Sequence, residues 1–468
     1  MFKKFFLNGI ALIIIPTIIC ACSAPRQAPI TILPTATGSS STIEITSTPT
    51  IDHRTLVPAD GLNLKDIRII FWHPWTGTLE DRVHALVQEF NKVNEWGIVV
   101  EDTAIGDESY LIRKIQSSID EQKMPDLVSL PIHSLSSLHT QNSILVNLDP
   151  YIENASLGLT DEEILTYPVT FWQQDILDGF RFGVPAERDV RVLFYNRSWA
   201  QELGFEQPPT DPNEFINQAC AAARENSFDE DDSNDGTGGW IYDTDPMTVL
   251  SWLKAFKGGD LPTSGGRSYD FETIQNEEAL AFLNRIYRIS CAWIGREPQP
   301  YLYFANRQAL FYAGWLSEYT EQEKISNKDE WEIIPFMSID GEPVLITDGF
   351  SFGAMKSDPT HQLAAWLFIR WMLQPENQAS LIETTGTLPL TNTALTFLED
   401  FRKDHPTWDS ILIDIPLIRP MNALDSWDVA GRVLQDAAWQ VTLATVKQGD
   451  MSFILEQADK LLREVLSD

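Results

Sequence analysis

Short apolar, β-rich runs alternate along this chain with longer stretches whose apolar residues fall at helical spacing. Residues 67–72 read as a first strand, and His73-Pro74-Trp75-Thr76-Gly77 is turn chemistry. Leu79, Val83, Leu86, Val87 and Phe90 then fall on one face of a helix. Gly97 ends it, and residues 98–100 begin a second strand. A further helix is predicted over 110–119, then Pro125-Asp126 leads into a strand over 127–130. Strand, helix, strand, helix, strand predicts a parallel α/β sheet.

The same alternation continues. Residues 182–185 and 190–195 read as strands, 211–224 as a helix, and 228–239 as a polar loop crowded with Asp, Asn and Gly. Helices are predicted over 247–256 and 277–289, and a strand begins at 307–311. A strand over 350–355 leads into a helix over 361–373, and the last helices fall at 426–447 and 451–466. No repeat and no membrane span is visible inside this region.

The N-terminus follows a different pattern. Lys3 and Lys4 precede a mostly apolar run over residues 5–19, too short for a comfortable membrane span of about 20 residues. This is the layout of a secretory signal peptide over 1–21. Ile19-Cys20-Ala21-Cys22 resembles a bacterial lipobox, which implies a lipid on Cys22 as the first mature residue. The alternatives are a plain cleaved signal peptide or an uncleaved anchor. Residues 22–60 are dominated by Ser, Thr and Pro, cannot bury enough apolar surface to offset ordering, and read as a lipid-anchored tether. The expected location is extracytoplasmic, at the outer face of the cell membrane.

About 400 residues remain, more than one core usually supports. The formal charge of −33 repels nucleic acid and anionic lipid, disfavours polyanionic substrates and favours neutral or cationic ligands. With Cys20 lost in the signal and Cys22 lipidated, Cys220 and Cys291 are left as an even pair. A disulfide is expected in an oxidising compartment, against the alternative of two buried thiols.

Six ordered motifs in this region carry a family likeness. They are Ile69-Ile70-Phe71-Trp72-His73-Pro74-Trp75; Leu86-Val87-Gln88-Glu89-Phe90-Asn91; Met124-Pro125-Asp126-Leu127-Val128; Phe182-Gly183-Val184-Pro185-Ala186-Glu187 with Leu193-Phe194-Tyr195-Asn196; Ala309-Leu310-Phe311-Tyr312-Ala313-Gly314-Trp315; and residues 364–376 with Thr385-Gly386-Thr387-Leu388-Pro389. Together the chain resembles family 1 extracellular solute-binding proteins, the maltose-binding type that delivers sugars to ABC importers. The resemblance implies a two-lobed α/β fold of the periplasmic-binding-protein type (type II), with hinge strands and an interlobe cleft. It places the first lobe at 62–187 plus 345–387 and the second at 188–344 plus 388–468. It also implies a carbohydrate or other small solute as ligand, ABC permease subunits as partners, a monomer, and binding without turnover.

A sugar offers flat C–H faces and a rim of hydroxyls, matched by aromatic plates and by carboxylates. Trp72 and Trp75 flank the first βα turn, where open α/β sheets place ligands. The resemblance points to Trp315 and Trp427 as stacking residues and to Asp189 as a ligand carboxylate, with Glu187 and Arg188 as adjacent alternatives. Trp240, after Gly238-Gly239, and Asp348, ahead of Gly349-Phe350, complete the candidates. Pro131-Ile132-His133 departs from the aromatic and charged residues that often follow the Pro-Asp strand, which puts maltodextrin specificity in doubt. Asp231-Asp232-Ser233-Asn234-Asp235-Gly236 is spaced like the start of a calcium loop. Its twelfth position is Tyr242 rather than a bidentate Glu, so a solvated acidic turn is the plainer reading. No zinc spacing, Walker loop, GxSxG or GxGxxG stands in a fitting context, so neither a metal nor a cofactor is expected. Carboxylate pairs suited to glycoside hydrolysis leave a surface glycoside hydrolase as the alternative from another class.

Overall fold

The computed structural model describes residues 62–467, apart from residues 122, 264, 265, 298, 326 and 327. The signal peptide, lipid anchor and tether expected over residues 1–60 lie outside the described residues.

The first lobe opens on β1 (Arg68–His73), α1 (Gly77–Val93), β2 (Val99–Ala104), α2 (Glu108–Glu121), β3 (Leu127–Pro131) and α3 (Ile132–Asn142). Val83, Leu86, Val87 and Phe90 bury the inner face of α1, as their spacing predicts. Asn94 ends that helix: its amide donates to the carbonyls of Phe90 and Ile98 and accepts from the N–H of Ile98. This fixes the turn into β2. β1 pairs in parallel with both β2 and β3. Asp126, just ahead of β3, accepts from the Ile70 N–H at 2.9 Å, so the Pro-Asp entry ties β3 to its neighbour. Strand Phe350–Ala354 adds antiparallel to β3, and Val184–Pro185 completes a five-stranded sheet.

The second lobe is built on a seven-stranded sheet whose centre is Asp189–Asn196 paired antiparallel with Ala309–Trp315. Val190, Val192 and Phe194 enter one core, with Tyr312; Leu193 and Tyr195 enter the opposite one, with Phe311. Both faces of the sheet are therefore covered, which is why this strand reads as a continuous apolar run rather than an alternating one.

The chain crosses between the sheets at two adjacent places. Residues 186–188 separate Val184–Pro185 of the first sheet from Asp189–Asn196 of the second. Gly349 separates Ile346–Asp348 of the second sheet from Phe350–Ala354 of the first. A crossing expected at 344/345 thus falls a few residues later, because Ile346–Asp348 pairs with Val190 and Asp189. Gly349 has φ +152, and a Cβ there would stand 2.4 Å from the Glu187 carbonyl, so the two crossings touch at a position that only glycine fits. A third contact, between Arg188 and Leu388, lies beside them.

The helix expected over 426–447 is Trp427–Gln440; it ends where Val441, Thr442, Thr445 and Val446 crowd the sequence with β-branched residues. The last helix, Met451–Leu466, has the predicted bounds. Cys220 on helix Pro212–Phe228 is bonded to Cys291, with their Cα atoms 4.5 Å apart. Among the described residues no helix is long and apolar enough to cross a membrane.

Candidate functional site

The crossings and the ends of two sheets converge on a cavity of about 510 Å³ with walls from both lobes. The end of β3 delivers Pro131 and the first turn of α3 delivers His133, at the C-terminal end of a parallel strand, where α/β folds place ligands. The crossings supply Glu187, Asp189, Asp348 and Phe350. Strand Ala309–Trp315 and the turn after it supply Trp315, Ser317 and Glu318. Helix Pro375–Thr385 closes one side with Thr384 and Thr385. Two other cavities of comparable size, about 460 Å³ beside Lys254 and about 520 Å³ beside Trp96, lie away from these crossings.

Four of the sequence candidates meet in this cavity: Glu187, Asp189, Trp315 and Asp348. Asp189 accepts from its own strand at Val190 and from the Ser317 N–H at 3.3 Å, which anchors the Trp315 turn to the crossing. Glu318 accepts from the Trp315 N–H at 2.9 Å and so fixes the indole's backbone. The Trp315 ring also carries the Arg191 guanidinium, 5.4 Å from the ring centroid.

The remaining candidates fall elsewhere. Trp75 is buried behind the wall, against Phe71, Phe350 and Phe352, and its indole N–H donates to Glu187 at 3.4 Å. Trp72 is half-buried on the first lobe, with the Lys114 ammonium 4.5 Å over its ring, and does not line the cavity. Trp240 is fully buried in the second-lobe core against Phe215 and Trp252, so it offers no face to a ligand. The Gly238-Gly239 pair before it serves packing: a Cβ on Gly239 would stand 2.1 Å from the Cys291 carbonyl. Trp427 is likewise buried in the second-lobe core, and its neighbour Asp428 is the residue that reaches the cleft. Arg188 is buried and turned away, bonded to Asp175. In the acidic loop, Asp231 accepts from the N–H and hydroxyl of Ser233. Among the described residues no group of three or more His, Cys, Asp and Glu could hold a metal ion.

His133, part of the segment that departs from the family pattern, is the cation of the site. Its Nε2 lies 3.2 Å from Asp428, on the second-lobe helix, and 3.9 Å from Glu108. Its Nδ1 faces Asp348 at 3.8 Å. Burial alone would lower its pKa, but the hydrogen bond to Asp428 and the charges of Asp348, Asp428 and Glu108 overcome this and raise it to about 9. The imidazolium therefore joins the two lobes across the cleft. Because the folded value lies above the unfolded one, the stabilisation is complete below about pH 6.5 and is lost as pH rises through 9. Asp428→Asn is expected to cost about 1–2 kcal/mol at pH 6, less than a fully buried charged hydrogen bond because Asp428 is 41% exposed. The difference from wild type in denaturant unfolding should shrink between pH 7 and pH 9.5; a difference constant over that range would exclude the ion pair.

Two lobes joined by paired crossings around one cavity define a hinged binding fold. Solved structures share it. The cyclic α-maltosyl-1,6-maltose binding protein of Arthrobacter globiformis aligns with a TM-score of 0.72 at 17% identity, over 85% of this chain and 99% of that one. The sugar-binding protein MalE of Xanthomonas citri gives 0.71 at 19%, over 85% and 98%. UgpB of Mycobacterium tuberculosis, in complex with glycerophosphocholine, gives 0.71 at 17%, over 86% and 98%. The sequence pattern of bacterial extracellular solute-binding proteins matches residues 85–407, and the chain belongs to that family. Among curated proteins none matches the sequence.

Proposed function

We propose that this protein is the solute-capturing component of an ABC importer, held at the outer membrane face by a lipid on Cys22, and that it takes a sugar or oligosaccharide. The observation that carries the reading is the cavity at the crossings, which Trp315 lines together with the carboxylates of Glu187, Asp189 and Asp348. A plate for a C–H face, flanked by acceptors for paired hydroxyls, is what a pyranose requires. The naming of relatives as binders of maltosyl-maltose and other sugars agrees. The lobes, taken as 62–187 plus 349–387 and 188–348 plus 388–468, close over the solute by bending at residues 186–188 and Gly349. The protein acts as a monomer and hands its cargo to permease subunits without chemical change.

Carbohydrate should raise the Tm of the mature protein, since a ligand that binds only the folded state stabilises it by about 2.7 kcal/mol at a hundredfold excess over Kd. Trp315→Ala is expected to weaken binding by about tenfold to a hundredfold, the loss of one aromatic contact of about 1.5–3 kcal/mol. The apo Tm should change little, because Trp315 is half-buried at a cavity wall. Unchanged affinity in that variant, or new reducing ends after incubation with oligosaccharides, would overturn the reading.

A further inference from the structure

The charge lining the cleft is out of proportion to a neutral ligand. Glu108, Glu187, Asp189, Glu318, Glu321 and Asp348 face the cavity, and against them its wall holds one histidine and no Lys or Arg. The nearest arginines are already engaged. Arg188 is bonded to Asp175, and Arg191 to Asp243, with Glu318 3.9 Å away. Glu321 pairs with Lys324 on the surface, and Glu108 is bonded to the Ser134 hydroxyl. Among the described residues Glu187 and Asp189 make no ion pair.

The backbone makes the imbalance worse at one point. Asp189 and Asp348 stand directly opposite each other in the antiparallel ladder at the crossing. Side chains so placed have Cβ atoms about 4.5–5.5 Å apart, and like charges there are destabilising. Each accepts only backbone N–H groups nearby, Asp189 from Val190 and Ser317 and Asp348 from Gly349, and these bonds bring no positive charge to the facing pair. Burial pushes the Glu187 carboxyl up to about 7, with the Asp189 charge adding to it. Burial likewise pushes Asp189 up to about 6. Glu187 and Asp189 thus stand on the cavity wall as carboxylates with no ion-pair partner among the described residues.

A second observation points to a ligand in the same place. His133 is more than nine-tenths buried on the cavity wall, and its Nδ1 has no hydrogen-bond partner, standing 3.8 Å from Asp348. A buried donor left unpaired costs about 1–3 kcal/mol and calls for an acceptor. Among the described residues no group of three or more His, Cys, Asp and Glu could hold a metal ion. The aromatic wall of Trp315 and Phe350 suits an ammonium on a ring as well as a sugar face.

We infer that the solute is an amine-bearing sugar, a hexosamine with a free ammonium or an oligomer of it, whose ammonium sits among Glu187, Asp189 and Asp348. Its ring lies against Trp315, and a ring hydroxyl accepts from His133 Nδ1. This inference rests on the sugar reading of the cleft and adds the charge. A neutral sugar would leave Glu187 and Asp189 uncompensated; a simple polyamine would leave Trp315 and His133 without their matching faces.

The test is calorimetric titration of the mature protein at pH 8 with four probes: a glucosamine oligomer, the same oligomer fully N-acetylated, a neutral gluco-oligosaccharide and spermidine. Binding of the free-amine oligomer at least tenfold tighter than of either neutral sugar is the expected result. Asp189→Asn and Glu187→Gln should each erase most of that preference, read as the ratio of free-amine to N-acetylated affinity within each variant. Equal affinity for the amine and its acetylated form overturns the inference and leaves the sugar reading intact. Spermidine binding with no sugar response overturns both. The probe comparison in the unmodified protein does not depend on whether either variant folds.

Discussion

Arg188→Ala is expected to lose about 3–5 kcal/mol of stability, measured by urea unfolding at pH 7, because it strands a buried carboxylate. Arg188 and Asp175 are both fully buried, and Nη2 of the arginine donates to the two carboxylate oxygens at 2.9 and 2.8 Å. Nη1 donates to the carbonyls of Glu187 and Phe350 at 2.9 and 2.8 Å. The Ser351 hydroxyl donates to Asp175 at 2.6 Å. One guanidinium therefore ties together both crossings and the segment ahead of them. Its Nε finds no partner, so the pair is not fully satisfied even in the native state. That incompleteness predicts an asymmetry. Arg188→Ala leaves Asp175 charged and buried, whereas Arg188→Met with Asp175→Asn removes both charges at similar volume and should recover most of the loss. A single variant within 1 kcal/mol of wild type would show that the crossings do not depend on this pair. If the double variant unfolds like wild type but fails to close on ligand, the pair serves hinge geometry rather than stability.

The same arginine shows how far the sequence carries. Glu187, Arg188 and Asp189 were three adjacent candidates, and only the structure separates them. Successive side chains along extended backbone point to opposite sides, so Glu187 and Asp189 face the cavity while Arg188 turns into the protein. Local periodicity was enough for α1 and for Met451–Leu466, whose apolar stripes are complete within one segment. It could not place Trp240, because the face that a strand residue presents depends on its ladder partner. Trp240 pairs in register with Phe311 and shares that residue's core. Trp427 failed for a related reason: the first turn of its helix sends the tryptophan inward and the next residue, Asp428, toward His133. His133 was visible as an unusual residue at the end of a parallel strand. Its partners lie 25, 215 and 295 positions away, at Glu108, Asp348 and Asp428, so no local pattern could assign its charge.

Breaking the Cys220–Cys291 bond is expected to have an effect of similar size by a different route. The bridge spans a sequence separation of 71 residues. In the chain-entropy description, cross-linking a loop of that length removes freedom from the unfolded chain worth about 4 kcal/mol. The closed segment contains the polar loop after helix Pro212–Phe228, strand Gly238–Ile241 and helices Pro246–Ala255 and Ile274–Arg288, most of one side of the second lobe. The native packing around the bridge does not depend on the sulfurs alone. Gly239 lies where a Cβ would meet the carbonyls of both Ala219 and Cys291, so helix and strands already interlock there. The folded structure should therefore survive in a Cys220→Ala, Cys291→Ala protein, with ligand affinity unchanged and the loss confined to unfolding free energy. Urea titration of wild type with and without a strong reductant gives the same comparison without substitution. The two drops should agree near 4 kcal/mol, and the double-alanine protein should be insensitive to reductant. A loss below 1 kcal/mol in both would mean that the unfolded chain is already constrained across this segment. A loss accompanied by weaker ligand binding would mean that the bridge shapes the second lobe's wall of the cleft rather than the unfolded ensemble.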